Sequence, residues 1–335
     1  MPQRPLLSLL ATLAAARAWL FLSVLVLGFE IWARVAFGAS FIGNVFNLRS
    51  IAVFATAPLL LAVGQTFVII SGGIDLSVGF TMGLAAIVLA HTVNAATSAL
   101  GTAPGLLIGI VVAILAAMAP GVVNGLLIAR LRVPPFIGTL GMYGVARGVA
   151  YLLAGGTTVP VNNTALDFIG NGEVGGFPVV VLLTVAALLV LHYVLSQTKF
   201  GQYTYAIGGN RAAAVRAGIN VRRVTVLLYV LSAITAGIGG ILYTGRFSAG
   251  AAQAGEPLLL DSIAAVVIGG ASLFGGSGTI VGTLIGALIV AVIQYGLVFI
   301  NVEPFWQFVA VGVVIIISVL VDQSQRRLGG ARVDE

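Results

Sequence analysis

The chain has 335 residues, of which 59% are hydrophobic and only 8% carry charge. Soluble domains carry about 25% charged residues, so a chain of this composition cannot cover a water-facing surface and must be solvated largely by lipid. Cysteine is absent and histidine occurs only twice, which excludes disulfides and thiolate chemistry and nearly excludes a metal site built from histidines. We therefore expect no metal and no cofactor.

A membrane-spanning helix needs about 20 mostly apolar residues, and the chain offers ten such stretches. They cover 18–36, 51–70, 77–95, 105–129, 134–154, 177–195, 225–245, 259–274, 280–300 and 305–321. The first is too long for the apolar core of a cleavable signal, and no obvious small-residue cleavage site follows it, so we expect it to be retained. The predicted fold class is all-α, a polytopic membrane protein of about ten transmembrane helices.

The net charge of +6 follows the loops of a membrane protein and does not indicate a nucleic-acid partner. With the N-terminus placed in the cytoplasm, 12 of the 16 basic residues fall in inside segments. The segment 196–224 alone holds five basic residues and no acid. Because cytoplasmic loops are enriched in Lys and Arg, this pattern predicts an even number of spans and both termini in the cytoplasm.

Two glycine-rich stretches, SGGIDLSVG over 71–79 and GGASLFGGSG over 269–278, each separate two neighbouring spans. The longer hydrophilic stretches are 155–176, expected outside, and 196–224, expected inside. Neither can form a core of its own, so we expect residues 1–335 to form a single transmembrane domain. The sequence contains no Gly-x-x-x-x-Gly-Lys-Ser/Thr phosphate loop, so work driven by ATP would require a separate polypeptide.

The cytoplasmic stretch AIGGNRAAAVRAGI, over 206–219, is polar, basic and compatible with a helix that stops at Gly218. Its alanines allow a partner to approach closely, and Arg211 and Arg216 can reach acidic groups on that partner. We therefore expect one short amphipathic helix that lies at the membrane surface and docks in a groove of a soluble protein.

The chain contains four segments of a recognisable type: ISGGIDLSVG (70–79), TLGMYGVARGVAYLLAGG (139–156), AIGGNRAAAVRAGI (206–219) and AAVVIGGASLFGGSGTIVGTLIGALIV (264–290). In these segments the chain resembles the permease subunits of bacterial sugar importers of the ATP-binding-cassette type. The four segments occur in the family's order and with its span count, and the similarity extends from about 50 to 321. The ribose, xylose and galactose permeases form the closest group, within a superfamily that also holds branched-chain amino-acid permeases.

The resemblance implies a permease without catalytic residues of its own that carries a pentose or hexose across the bacterial inner membrane. It implies a second permease copy, identical or paralogous, a separate ATPase that grips the loop 196–224, and a periplasmic sugar-binding protein. The family's ATPase-docking motif maps onto Gly208, Asn210, Ala213, Ala214, Gly218 and Ile219.

Neutral polar side chains within the spans are candidates for the translocation path, because a pore for sugars needs hydrogen-bonding groups without strong traps. They are Gln65, Thr66, Asn124, Thr139 and Gln294. The same side chains fit equally well as hydrogen-bonded contacts between helices, which contribute about 0.6 kcal/mol each in membranes.

Ionisable side chains inside spans are functional candidates because burying them in lipid is costly. Arg147 either donates hydrogen bonds to sugar hydroxyls, or snorkels towards the interface and ties helices together. Glu30 and Arg34 are four residues apart on one helical face, which predicts a structural pair. Asp75 precedes a helix start, which favours capping of free N–H groups over contact with a substrate.

Two other classes of function remain open alongside the importer. One is a permease for a non-sugar substrate such as a branched-chain amino acid, and the other is a secondary transporter driven by an ion gradient. Ion-coupled transporters usually carry carboxylates near the membrane midplane, and few acids lie in the spans here. An intramembrane enzyme is disfavoured because neither His91 nor His192 has an evident catalytic partner.

Overall fold

The computed structural model describes residues 4–303 and 305–330, with side chains described for 18–303 and 305–320. This part of the chain forms thirteen helices and four two-residue strands. The helices are α1 (Arg4–Phe37), α2 (Val45–Ile70), α3 (Val78–Leu100), α4 (Thr102–Ala129), α5 (Pro135–Ala154), α6 (Thr164–Asn171), α7 (Val179–Gln197), α8 (Lys199–Gly209), α9 (Arg211–Arg216), α10 (Val221–Phe247), α11 (Glu256–Ile268), α12 (Ile280–Phe299) and α13 (Trp306–Gly330). The strands are β1 (Val159–Pro160), β2 (Glu173–Val174), β3 (Phe177–Pro178) and β4 (Ala249–Gly250).

Eight of the helices in the described residues are long and apolar enough to cross a membrane. They are α1 to α5, α7, α10 and α12, and they coincide with eight of the ten predicted spans. The last predicted span falls on α13, whose apolar part within the described side chains is Trp306–Leu320. The prediction of a polytopic all-α membrane protein is confirmed.

The eighth predicted span, 259–274, is wrong in its bounds, because α11 has only 13 residues and ends at Ile268. At 1.5 Å per residue it is about 20 Å long, shorter than the roughly 30 Å hydrocarbon core of a bilayer. The glycine-rich segment 269–279 follows it without regular structure. Positive φ angles at Gly270, Gly275 and Gly276 explain the stop, since residues with side chains rarely adopt them.

An irregular segment, 248–255, leads from α10 to the start of α11 and runs along the first turns of α3. Gly250 packs against Ala86, and Gly255 packs against Gly79. Buried backbone polar groups outside a helix need partners within the protein. The glycines on α3 allow the segment to lie directly on the helix backbone.

Helix α2 forms the centre of the bundle, and every residue from Pro58 to Ile70 is buried. It packs against α10, where Gly64 lies against Ser232 and Thr235. Pro58 and Pro120 lie inside the continuous helices α2 and α4. Close packing of this kind drives helix association in lipid, where burial of apolar surface contributes little.

The connection between α1 and α2 is organised by Glu30, whose carboxylate accepts a 2.5 Å hydrogen bond from Arg34 Nε. This confirms the predicted pair. The same carboxylate accepts hydrogen bonds from the backbone N–H groups of Phe41 (2.7 Å) and Ile42 (3.0 Å). Glu30 therefore shapes the turn into α2, in addition to pairing with Arg34.

The two ends of the bundle differ in character. At one end β1 pairs antiparallel with β4, and Arg49 forms an ion pair of 3.0 Å with Glu173. At the opposite end lie α8 and α9, which carry basic residues. Residues 1–3 and 331–335 lie outside the described residues, so the cytoplasmic position of both termini stays a prediction.

Candidate functional site

The predicted docking segment 206–219 forms two helices separated at Asn210, and the expectation of a single helix is wrong. Asn210 adopts an extended conformation, with φ −156° and ψ 99°, which no helix can accommodate. Its side-chain oxygen accepts a 2.9 Å hydrogen bond from the N–H of Ala213 and thereby caps α9. The short polar side chain of asparagine favours this cap over helix continuation.

The six residues of the predicted docking motif divide between the surface and the interior. Asn210 and Gly218 are exposed, whereas Ala214 is buried and only 3% accessible. Gly208, Ala213 and Ile219 are half-buried, and Gly208 packs against the end of α2. The motif therefore serves both to present a surface and to fix α8 and α9 to the bundle.

The surface that α9 presents contains a side chain missing from the predicted docking motif. Val215 is 57% exposed although it is apolar. It lies between the exposed residues Arg211 and Arg216. An apolar side chain flanked by two arginines suits a partner groove with an apolar floor and an acidic rim. The sequence alone does not place Val215 on the outer face of α9, because this requires knowing that the helix begins at Arg211.

A buried polar cluster lies where the first glycine-rich segment, 71–77, meets α2, α4 and α10. At its centre Asp75 accepts hydrogen bonds from Ser77 N (3.0 Å), Ser77 Oγ (2.6 Å) and Ser232 Oγ (3.0 Å). Gln65 donates to the Asp75 carbonyl at 2.5 Å, and Asn124 donates to Ser77 Oγ at 2.9 Å. We call these five residues the Asp75 cluster.

Asp75 does more than the capping role predicted for it. Its contact with the N–H of Ser77 lies at the start of α3, as expected. The bond from Ser232 adds a tie to α10, and Gln65 adds one to α2. All five residues of the cluster are at most 1% exposed. Donors from the segment itself, from α10 and from α2 bond to Asp75, so the cluster holds the irregular segment in place inside the protein.

The remaining predicted path residues also make contacts between elements. Thr66 lies 2.7 Å from the Thr283 hydroxyl, and Gln294 donates to Asp261 at 2.8 Å. Thr139 is buried, donates to its own helix at 2.9 Å, and lies 3.4 Å from the carbonyl oxygen of Ile74. Arg147 is exposed and lies 5.4 Å from the centre of the Phe80 ring. A role of these side chains in a path stays a prediction, as it does for Gln65 and Asn124.

A groove of about 640 Å³ opens beside the start of α11, away from the Asp75 cluster. Its lining includes Phe54, Tyr243, Arg246, Phe247, Gln253 and Glu256. Gln253 is exposed, and Glu256 accepts a 3.1 Å hydrogen bond from the Tyr143 hydroxyl of α5. The sequence alone does not reveal this set, because Gln253 and Glu256 stand in the loop-like run GAAQAGEP and the other members lie on α2 and α10. The groove combines apolar walls with a few polar groups, as ligand sites do.

We expect Ser232→Ala to destabilise the protein by about 1–3 kcal/mol, because it removes a hydroxyl donor from a buried carboxylate. Thermal unfolding in detergent measures the effect. Ser262→Ala is the matched control, since Ser262 is equally buried but bonds only the Leu259 carbonyl of its own helix. Equal stability of the two variants would contradict the role given to the Asp75 cluster.

Known proteins match this chain over most of its length. A family model described as branched-chain amino acid transport system / permease component matches residues 47–319. The ribose import permease protein RbsC of Bacillus subtilis is 41% identical over 285 residues, which are 84% of this chain and 85% of that protein. RbsC of Escherichia coli K12 is 37% identical, covering 85% of this chain and 87% of that protein.

A third relative is the fructose import permease protein FrcC of Rhizobium meliloti, which is 36% identical over 307 residues. The match covers 88% of this chain and 83% of that protein. Identity at this level over most of both chains, together with the family match, is sufficient to assign membership. The chain belongs to the permease family described as branched-chain amino acid transport system / permease component.

Proposed function

We propose that the chain is the transmembrane permease subunit of an ATP-binding-cassette importer that carries a monosaccharide across the bacterial inner membrane. The observation that carries this proposal is the match to import permeases for ribose and fructose over at least 83% of each chain. A galactose/methyl galactoside import permease of Haemophilus influenzae is also 35% identical. The family description names amino acids, but these relatives carry sugars, and ribose has the highest identity.

The chain supplies passage and coupling, whereas hydrolysis belongs to a separate ATPase subunit. The exposed face of α9, with Val215 between two arginines, is the surface we assign to that subunit. A periplasmic sugar-binding protein docks at the opposite end, near β1, β4 and α6. Closure of the ATPases on ATP pushes α8 and α9, and the helices then open a path inward. This is an alternating-access mechanism.

We place part of the translocation path in the groove beside α11. Its volume exceeds that of a monosaccharide, and it combines ring faces with hydrogen-bonding groups. The irregular segment 248–255 contributes Gln253 to it, and the short helix α11 that follows contributes Glu256. The side chains predicted from sequence for the path are mostly engaged in contacts between helices.

We assign the contact with the second permease copy to the exposed face of α5. Gly144 and Gly148 are four residues apart, and a methyl group added to either would meet no atom within 4 Å. Small residues at this spacing let two membrane helices approach closely. Gly141, one turn earlier, is equally open and extends the same face.

The function is tested by uptake into vesicles that contain the chain with its ATPase and binding protein. We expect ribose to accumulate only when ATP and the ATPase are inside the vesicles and the binding protein is outside, because the permease alone has no energy source. Dissipating the proton and sodium gradients should leave uptake unchanged. Uptake driven by either gradient without ATP, or import of leucine in place of sugars, would reject the proposal.

Replacing Phe247 by Ala tests the groove. We expect the sugar uptake rate to fall by about threefold to tenfold, the size of one aromatic contact. Phe308→Ala in α13 is the matched control, since its side chain is 62% exposed against 63% for Phe247 but lies outside the groove. The groove assignment fails if both variants transport at the same rate.

Single cysteines test the position of the second copy, because the natural chain contains none. We expect Gly148→Cys to form a disulfide-linked dimer on oxidation in native membranes, since this position would face its counterpart. Leu189→Cys, on the exposed face of α7 at 61% accessibility, should remain monomeric. A dimer formed through Leu189→Cys and not through Gly148→Cys would place the interface elsewhere.

A further inference from the structure

We infer that a contact between the backbones of three glycine-rich segments passes the motion of α8 to the interior of the permease, and that Gly208 is its positioning residue. The contact joins Ile70 at the end of α2, Gly72 of the segment 71–77, Gly208 of α8, and Gly275 and Gly276 of the segment 269–279. We call it the glycine junction. This inference rests on the proposed function, because it assumes that an ATPase moves α8.

The junction is built without intervening side chains. The N–H of Gly276 donates a 2.8 Å hydrogen bond to the carbonyl oxygen of Ile70, at the end of α2. Gly208 lies directly over this bond. A methyl group on Gly208 would overlap the Ile70 carbonyl oxygen and would lie 2.6 Å from the Gly276 nitrogen.

The two glycine-rich segments also touch each other at this point. A methyl group on Gly275 would lie 3.0 Å from both the Gly208 oxygen and the Gly72 nitrogen. Gly72, Gly275 and Gly276 all have φ between 81° and 88°, a region that residues with side chains rarely adopt. Both the contact distances and the backbone conformation therefore require glycine here.

A second contact fixes α8 to the same place. The Tyr205 hydroxyl donates a 2.7 Å hydrogen bond to the carbonyl oxygen of Gly278. Burial raises the pKa of Tyr205, so the phenol stays protonated and remains a donor. Ile207 is 3% exposed and packs in one apolar cluster with Ile70 and Ala271. Helix α8 is thus joined to both segments and cannot shift without displacing them.

The two segments lead from the junction to the interior. Segment 71–77 carries Asp75, whose cluster ties it to α4 and α10. Segment 269–279 connects the short helix α11, whose start borders the groove, to α12. A displacement of α8 therefore reaches the Asp75 cluster through one segment and the groove through the other.

Direct contact between backbones suits this task because close-packed atoms transmit displacement, whereas a flexible side chain absorbs part of it by changing rotamer. The sequence resemblance had singled out these three glycine-rich segments separately. Because they meet at one point, the three segments can together pass the motion of α8 to the interior, which none of them could do alone.

Gly208→Ala tests the inference in vesicles that hold the permease, its ATPase and its binding protein. Uptake and ATP hydrolysis are measured in the same vesicles, so the ratio of sugar transported per ATP does not depend on how much complex assembles. We expect this ratio to fall by about tenfold or more, the size of a typical coupling free energy between two sites. The added methyl separates α8 from Ile70 and Gly276.

Gly209→Ala is the matched control, because the neighbouring glycine has no atom within 4 Å of the added methyl. It should keep the ratio of the natural chain. An unchanged ratio in Gly208→Ala, or an equal loss in Gly209→Ala, would overturn the inference. A natural chain that imports no sugar with ATP would instead reject the proposed function.

Tyr205→Phe provides a second variant in case Gly208→Ala does not accumulate in the membrane. It removes one hydroxyl and adds no atom, so the junction glycines can still pack. We expect a smaller decrease of the same ratio, with the maximal ATPase rate lowered less than the uptake rate. A ratio equal to that of the natural chain would count against the inference.

Discussion

A backbone N–H or C=O group that leaves a helix and is buried needs a partner inside the protein, because an unpaired buried polar group is costly. The chain leaves its helices and is enclosed by other elements in three places, at 71–77, 248–255 and 269–279. The first is held by Gln65, Asp75 and Ser232, the second lies on the glycines of α3, and the third reaches the end of α2 through Gly276. Helices α2, α3, α4 and α10 supply most of these contacts.

Glycine makes this arrangement possible in two ways. On helices such as α3 it removes the side chain that would separate a helix from an irregular segment, as Gly79 does opposite Gly255. In the segments themselves it supplies positive φ angles, as at Gly275. Most glycines whose surroundings the structure describes therefore lie in close contacts, although some, such as Gly148, would place an added methyl group in open space.

The functions proposed for the chain are assigned to different parts of the molecule. The exposed face of α9 is available to a partner, while Gly208 and Ala214 fasten α8 and α9 to the bundle. Helix α11 begins at Glu256, and this residue and Gln253 of the preceding irregular segment both line the groove. An importer needs both a surface that an ATPase can grip and a route by which that grip changes the interior, and the glycine-rich segments connect the two.

The sequence by itself determined the membrane class, the existence of nearly every span and the pair formed by Glu30 and Arg34. These depend on local composition and on spacing within one helix, which a linear pattern contains. Only the tertiary structure decided that Asn210 divides the docking segment, that α11 ends at Ile268, and that Gln65 and Asn124 join Asp75 in one cluster. It also decided that Gly72, Gly208 and Gly276 meet, because residues about 65 to 205 positions apart come together only through helix packing, which composition and local spacing do not encode.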